Sequence, residues 1–434
     1  MGSDAAPAEE RRSTSRDRPV GGLLRTRNYA LLWLGRSISA VGSSITTVAL
    51  PLVAVSTLHA SPAMVALLTA AGWLPWLLIG LPAGVWVDRW PRRRTLLIAD
   101  FASAVVLVTI PIAAWTNVLT PTMLLVAALL AGTAGVFFDV ASNAFLPQLV
   151  SAEDLLEATS KLQTSASVAR VLGPGLGGLL AQAAGPVSGI LVDSVTFMVS
   201  AACLLGLRTE PEPRPAAGGY PGMLRQVGEG LRFIIRGRLL QAILVVATVT
   251  NFAMLGITAL RVVFLVRTEG VAPGTAGLVI GVGSLGSILG AVLASRASRR
   301  FGSARTYLMA TVVAAPFVLL LPLGGHGWRL ALFAVGSFVV LAGATMSSVM
   351  TMTFRGNFVP AHLLGRVTAA SRFFVFGTVP LGAATAGLLT SSFGIRAAMW
   401  ALAALYVIAP LPLLATSART LRDFPAQDVQ DAAP

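Results

Sequence analysis

Lysine and cysteine are almost absent from this 434-residue chain: Lys161 and Cys203 are its one example of each. A single cysteine excludes a disulfide framework and any metal site built from several thiolates. Histidine is scarce as well. His59, His326 and His362 are dispersed, with no metal or catalytic spacing. Charged residues make up only 12% of the chain, about half the ~25% usual in a soluble domain. That shortage excludes a disordered chain and a soluble globule with a polar skin. A phosphate-binding loop is also missing. The stretch Gly281-Val282-Gly283-Ser284-Leu285-Gly286 imitates a dinucleotide fingerprint, but it lies inside an apolar run, where close helix packing is the better reading. ATP-driven transport is disfavoured accordingly.

What the chain has is apolar length. Hydrophobic residues are 55% of the total and the mean hydropathy is +0.78. One membrane span takes about 20 residues, so there is room for twelve. Apolar stretches recur from the first near residues 37–58 to the last near 397–415. The expected fold is an all-α integral membrane protein with twelve transmembrane helices in two six-helix repeats. Residues 1–28 read as a polar tail, 29–207 as the first bundle and 208–238 as a polar loop with an amphipathic piece near Met223–Arg236. Residues 239–416 read as the second bundle and 417–434 as a second tail.

The net charge of +14 would suggest nucleic acid in a soluble protein. In a membrane protein, excess Lys and Arg mark the cytoplasmic loops instead. With the N-terminus inside, 26 of the 32 basic residues fall on the cytoplasmic side and three outside. Both termini are therefore expected in the cytoplasm of a bacterium, across its inner membrane, with no nucleic-acid partner. The two halves also echo each other. Phe145-Leu146-Pro147 matches Phe358-Val359-Pro360, Leu155-Leu156 matches Leu363-Leu364, and Gly84 pairs in position with Gly290.

Two segments carry mechanism. Gly84-Val85-Trp86-Val87-Asp88-Arg89-Trp90-Pro91-Arg92-Arg93-Arg94 joins spans 2 and 3. It resembles the G-x-x-x-D-R-x-G-R-R loop of the major facilitator superfamily, with Pro91 in place of the usual glycine. Its physical reading is a cytoplasmic latch. Gly84 allows close helix approach, Asp88 can hold a helix N-terminus through its dipole, and Arg92 can pair with a carboxylate on another span. Arg89 belongs to the same gate motif; for Arg93 and Arg94, fixing topology is the simpler role. Span 5 contains Gly173-Pro174-Gly175-Leu176-Gly177-Gly178, which resembles the family's motif associated with export by antiport. Proline bends the helix there, and glycines let a facing helix approach or slide. The wider wording at Tyr29–Gly35, Phe137–Pro147 and Ala169–Gly178 resembles the macrolide- and siderophore-exporter branch. One departure stands out: span 4 lacks the arginine that many twelve-span proton antiporters carry.

Charges inside a membrane are costly and default to function. Acids in or bordering the spans are Asp88, Asp100, Asp139 and Asp193, all in the first half, so any carboxylate proton carrier is one of these four. Asp193 is the deepest, suiting a proton carrier or a side chain bonded to a neighbouring helix. Arg170, nearest the midplane, suits an anionic substrate group or a counter-charge to Asp193. Asp139, near the cytoplasmic end, is the expected partner of Arg92, and Arg372 is a further gate candidate. Arg36 and Arg261 read as span-end residues that snorkel. Trp73 and Trp76 in span 2 either line a cavity or face lipid.

Together these residues imply a secondary active transporter rather than an enzyme. The expected job is proton-driven export of an amphiphilic small molecule, such as an antibiotic, another natural product or a siderophore. No cofactor is expected beyond the proton gradient, and the working unit is expected to be a monomer in the lipid bilayer. Proton-coupled import on the same fold remains open at this point. A membrane enzyme or sensor would need clustered catalytic groups or a sizeable soluble domain, and the sequence has neither.

Overall fold

The computed structural model describes residues 22–151, 153–208, 223–414 and 420–425, apart from the side chains of residues 81, 85, 88, 223–227, 361 and 362. Every regular element among them is helical. In chain order they are α1 (Arg27–Thr57), α2 (Pro62–Leu78), α3 (Gly80–Arg89), α4 (Arg92–Trp115), α5 (Pro121–Leu149), α6 (Leu155–Ala184) and α7 (Ser188–Leu205). The amphipathic α8 (Met223–Arg236) follows. Then come α9 (Arg238–Thr268), α10 (Pro273–Phe301), α11 (Ser303–Leu323), α12 (Arg329–Phe358), α13 (Ala361–Phe393) and α14 (Ile395–Leu414). Ten of these are long and apolar enough to cross a bilayer. Two further rods complete twelve spans. One is α2 continued by α3 after a break at Ile79; the other is α6, whose first turns carry Lys161, Gln163, Ser165 and Ser167. Large apolar side chains left uncovered by protein, such as Ile98, Leu388 and Phe393, face outward as a lipid-exposed surface requires.

Local chemistry sets the boundaries. Ser61 and Thr120 cap α2 and α5 by accepting from the backbone N–H of Met64 and Met123, each at 3.2 Å, with proline at the first helical position. In α11, Pro316 has no N–H to donate, and the rod passes through a π turn (Met309–Val313) and a 3-10 stretch (Ala315–Leu319) there. α1 and α9 both end in a π turn, Val53–Thr57 and Phe264–Thr268, followed by residues with the same φ of −97°. That shared irregularity ties span 1 to span 7 as repeats more firmly than the sequence matches do. Gly84 and Gly290 stand in different surroundings. Gly290 lies inside α10 against the backbone of Ala342, whereas a Cβ on Gly84 would meet nothing within 4 Å.

Packing repeats between the halves. α1 packs on α6 and α7, and α2 on α5; likewise α9 packs on α13 and α14, and α10 on α12. The halves meet through α6 against α10 and α2 against α13. The arginine-rich ends of the spans are braced within each half. Arg92 donates to the Ala144 carbonyl at 3.1 Å, and Arg93 donates to the carbonyls of Leu204 and Leu205 at 3.0 and 2.8 Å, closing the C-terminus of α7. In the second half, α8 lays Gly230 against the backbone of Arg366, and Glu229 pairs with Arg366 at 2.5 Å.

The segment after α14 returns to the bundle. Asp423 accepts from the Ser303 backbone N–H at 2.7 Å, capping α11, and Ser303 Oγ accepts from the Phe424 N–H at 2.9 Å. Phe424 stacks on Phe354 with ring centres 4.5 Å apart. Replacing Asp423 with Ala removes the cap and is expected to cost about 1 kcal/mol, read as a melting temperature lower by a few degrees in detergent; an unchanged melting curve would show the return segment to be passive.

Candidate functional site

The rods are longer than the apolar runs that reveal them, and this moves charges inward. α1 begins at Arg27, so Arg36 sits about 14 Å along the helix rather than at its end. α5 runs on to Leu149, so Asp139 lies about 15 Å from that end. Asp100 lies about 12 Å into α4. All three reach one level, measured from the arginine-rich end of the bundle.

A cavity of about 480 Å³ opens at this level. α1 contributes Arg36, Ser37, Ser39 and Ser43; α5 contributes Phe138, Asp139 and Asn143; α6 contributes Thr159, Gln163 and Ala166. Its lining continues to Leu146, Pro147 and Leu155, where α5 ends and α6 begins, so the cavity extends toward the arginine-rich end. All of its lining residues belong to the first half. At the opposite end of the bundle the two halves close on each other. Gly178 lies against the backbone of Pro273 and Gly277, and Gly277 against that of Pro174 and Gly178. Any side chain at these glycines would overlap the facing helix. Gly173 and Gly177 do the same work against Ser44 and Ile45 of α1. Span 5's glycine motif therefore serves two seams, one within its half and one between halves. On the other seam, Trp73 stacks on Phe376 of α13 at 6.3 Å and Trp76 meets the same ring at 6.2 Å, so both tryptophans join the halves. Beyond them, Arg267 donates to the Ala60 carbonyl at 2.6 Å, and Arg396 pairs with Glu269 over the ring of Phe264.

The structure redistributes the charged candidates. Arg36 stands 3.7 Å from Asp139 and 5.9 Å from the Phe138 ring centre. Asp139 is thus neighbour to Arg36, not to Arg92, because Arg92 begins α4 at the extreme end while Asp139 is a further ~15 Å into the bundle. Here the acid is on span 4 and the arginine on span 1. Arg36 does not snorkel, and Arg261 is enclosed, its Nε meeting no described acceptor. Asp193 is 1% exposed and packed between α7 and α1, where Thr46 Oγ1 donates to it at 2.5 Å and Thr196 Oγ1 at 3.3 Å. Gly42 leaves the space its carboxylate fills. Arg170 does not reach it. Arg170 is exposed and donates to Ser167 Oγ at 3.2 Å, one turn beyond Ala166 on the stripe of α6 that lines the cavity. In the gate segment Arg89 is exposed, and the side chain of Asp88 lies outside the described residues. Arg372 is exposed near Arg355 of α12. Asp100, one of the four candidate acids of the spans, is fully buried, and the charge of Arg36 acts on it. No group of three or more metal-binding side chains occurs among the described residues.

A twelve-span bundle of two packed halves, sealed at one end and open at the other over a charged cavity, defines a transporter of the major facilitator fold. A family model described as "Transmembrane secretion effector" matches residues 22–433, and the chain belongs to that family of the major facilitator superfamily. It is 26% identical over 416 residues to the multidrug efflux pump Tap of Mycobacterium tuberculosis, covering 93% of this chain and 95% of that protein. To Tap of Mycolicibacterium fortuitum it is 29% identical over 387 residues, covering 87% and 92%. Macrolide efflux protein A of Streptococcus pyogenes is 25% identical over 239 residues, covering 54% and 57%. Among solved structures, the nucleoside transporter NupG aligns with a TM-score of 0.72 at 12% identity, covering 89% of this chain and 98% of that one. A bacterial homolog of the human lysosomal transporter Spinster, inward-facing and unoccupied, aligns with a TM-score of 0.73 at 17% identity, covering 91% and 97%. These likenesses are of fold.

Replacing Gly277 with Leu is expected to leave the protein in the membrane and reduce transport at least tenfold, because the seal at Gly178 can no longer close. Wild-type transport by that variant would show the seam to be incidental.

Proposed function

We propose that this protein exports amphiphilic small molecules from a bacterial cytoplasm in exchange for protons. The observation that carries the reading is the Arg36–Asp139 pair, set in a cavity that opens on one side of a sealed bundle. The arginine-rich ends face the cytoplasm, as the distribution of positive charge requires, so the cavity loads from inside. Family membership and the efflux pumps among the relatives support export over import. The glycine seams of α6 supply surfaces on which the halves can rock, alternating access to the cavity. Ser37, Ser39, Ser43, Asn143 and Gln163 offer hydrogen bonds, while Phe138 and Phe197 offer apolar area, which suits a substrate of mixed character. The proton gradient is the energy source in this reading, and the monomer is the working unit.

The test is efflux of amphiphilic dyes and antibiotics from cells making the protein, with and without a protonophore. Efflux abolished by the protonophore is the expected result. Substrate accumulation by everted vesicles would confirm the direction; uptake by right-side-out vesicles would overturn it. Arg36→Ala is expected to lower efflux at least tenfold with normal protein levels, since it leaves Asp139 without its neighbouring cation; normal efflux would remove the pair from the mechanism.

A further inference from the structure

Asp100 is the one acid in the spans that nothing above uses. It is 0% exposed on α4, and neither carboxylate oxygen is in good hydrogen-bond geometry with a described donor, although the Ser200 hydroxyl of α7 faces it. Asp193 contrasts with it, being held by two threonine hydroxyls. The groups facing Asp100 are Arg36 from α1 and Ser200 and Cys203 from α7; from α5, Asp139 reaches it only through Arg36. One guanidinium therefore serves two carboxyl groups: it stands 3.7 Å from Asp139, and its charge acts on Asp100 as well. The two are not alike: the side chain of Asp139 is 49% exposed, in the cavity wall, and Asp100 is sealed behind it.

Charge balance decides what this arrangement can do. With both acids ionised the cluster carries a net negative charge inside the membrane, which is costly. One proton makes it neutral. Asp139 is the acid beside Arg36, so the proton belongs on Asp100. We propose that Asp100 is the proton carrier of the exchange, and that Arg36 moves between Asp139 and Asp100 to couple the proton to substrate bearing one positive charge. This rests on the export reading above. A cation entering the cavity takes Arg36's place at Asp139. Arg36 turns to Asp100, whose proton leaves through the cavity. One proton leaves as one cation binds, and the cluster is neutral before and after. The exchange of a monovalent cation is then electroneutral, and the pH difference drives it while the membrane voltage does not.

The experiment uses purified full-length protein and three lipophilic monovalent cations, ethidium, tetraphenylphosphonium and rhodamine 6G. Proton release on binding is read with a pH dye in weakly buffered detergent. Uphill transport is read in proteoliposomes, with the pH difference and the voltage collapsed separately by nigericin and valinomycin. The unaltered protein is expected to release about one proton per cation bound and to lose uphill transport with nigericin only. Asp100→Asn is expected to bind cation with no proton release and no uphill transport, whereas Asp193→Asn keeps both. If Asp100→Asn fails to fold, Asp100→Glu is expected to release the proton with a displaced pH profile. Proton release that persists in Asp100→Asn, or an unmoved profile in Asp100→Glu, overturns the assignment and leaves the export reading intact. Transport lost with valinomycin, or no binding of any of the three cations, overturns the electroneutral cation coupling. Protonophore-insensitive efflux by the unaltered protein overturns the export reading and this inference with it.

Discussion

Everything in this protein depends on two helices from opposite halves touching backbone to backbone at Gly178 and Gly277. Lipid is as apolar as leucine, so burying apolar side chains gives helices little reason to associate inside a bilayer; close packing has to do it. Glycine brings the axes near enough for dispersion and weak polar contacts to accumulate. The contact is made at one end of the bundle alone, and that asymmetry produces the rest. It holds the halves together at one end and leaves them apart at the other, toward which the cavity in the first half extends.

The charges obey a second economy. Few are present in the spans, and those that are fall into distinct solutions to the same desolvation problem. Asp193 is satisfied by hydroxyls from two helices and is closed off from the cavity. Asp139 has an arginine beside it and water in front. Asp100 is enclosed, with Arg36 and the Ser200 hydroxyl facing it but no bond of the kind that holds Asp193. A carboxylate bonded like Asp193 loses much when it changes state. One like Asp100 loses less, and that separates a structural acid from a working one.

How much of this could be read from the residues differs by layer. The number of spans, the two halves, α8 at Met223–Arg236 and the glycine motif of span 5 were all legible, because hydropathy, charge and small-residue spacing are local properties of the chain. Depth was not. Apolar runs show where lipid begins, while helices continue past it. α1 starts at Arg27 and α5 ends at Leu149, so Arg36 and Asp139 looked like span-end residues and were assigned to snorkelling and to Arg92. Asp100 was counted among four possible carriers but not singled out, because its significance is that it shares Arg36 with Asp139, a relation between three helices that no window contains. Arg170 looked like a counter-charge to Asp193 because both lie deep, yet α6 turns it away toward the cavity stripe.

The open end explains why Gly84 has nothing against it. In a resting bundle an unfilled glycine surface would be wasted packing. Here the arginine-rich loops fasten each half to itself. Arg92 and Arg93 reach carbonyls of α5 and α7, and Arg366 is held by α8. Two internally braced halves can part at this end without loosening, so the motion falls on the seams between them. Those seams are lined by Gly178, Gly277 and the flat rings of Trp73 and Phe376, surfaces that slide or separate without unlocking interdigitated side chains. A bare Gly84 at the open end is a small-residue surface of the same kind.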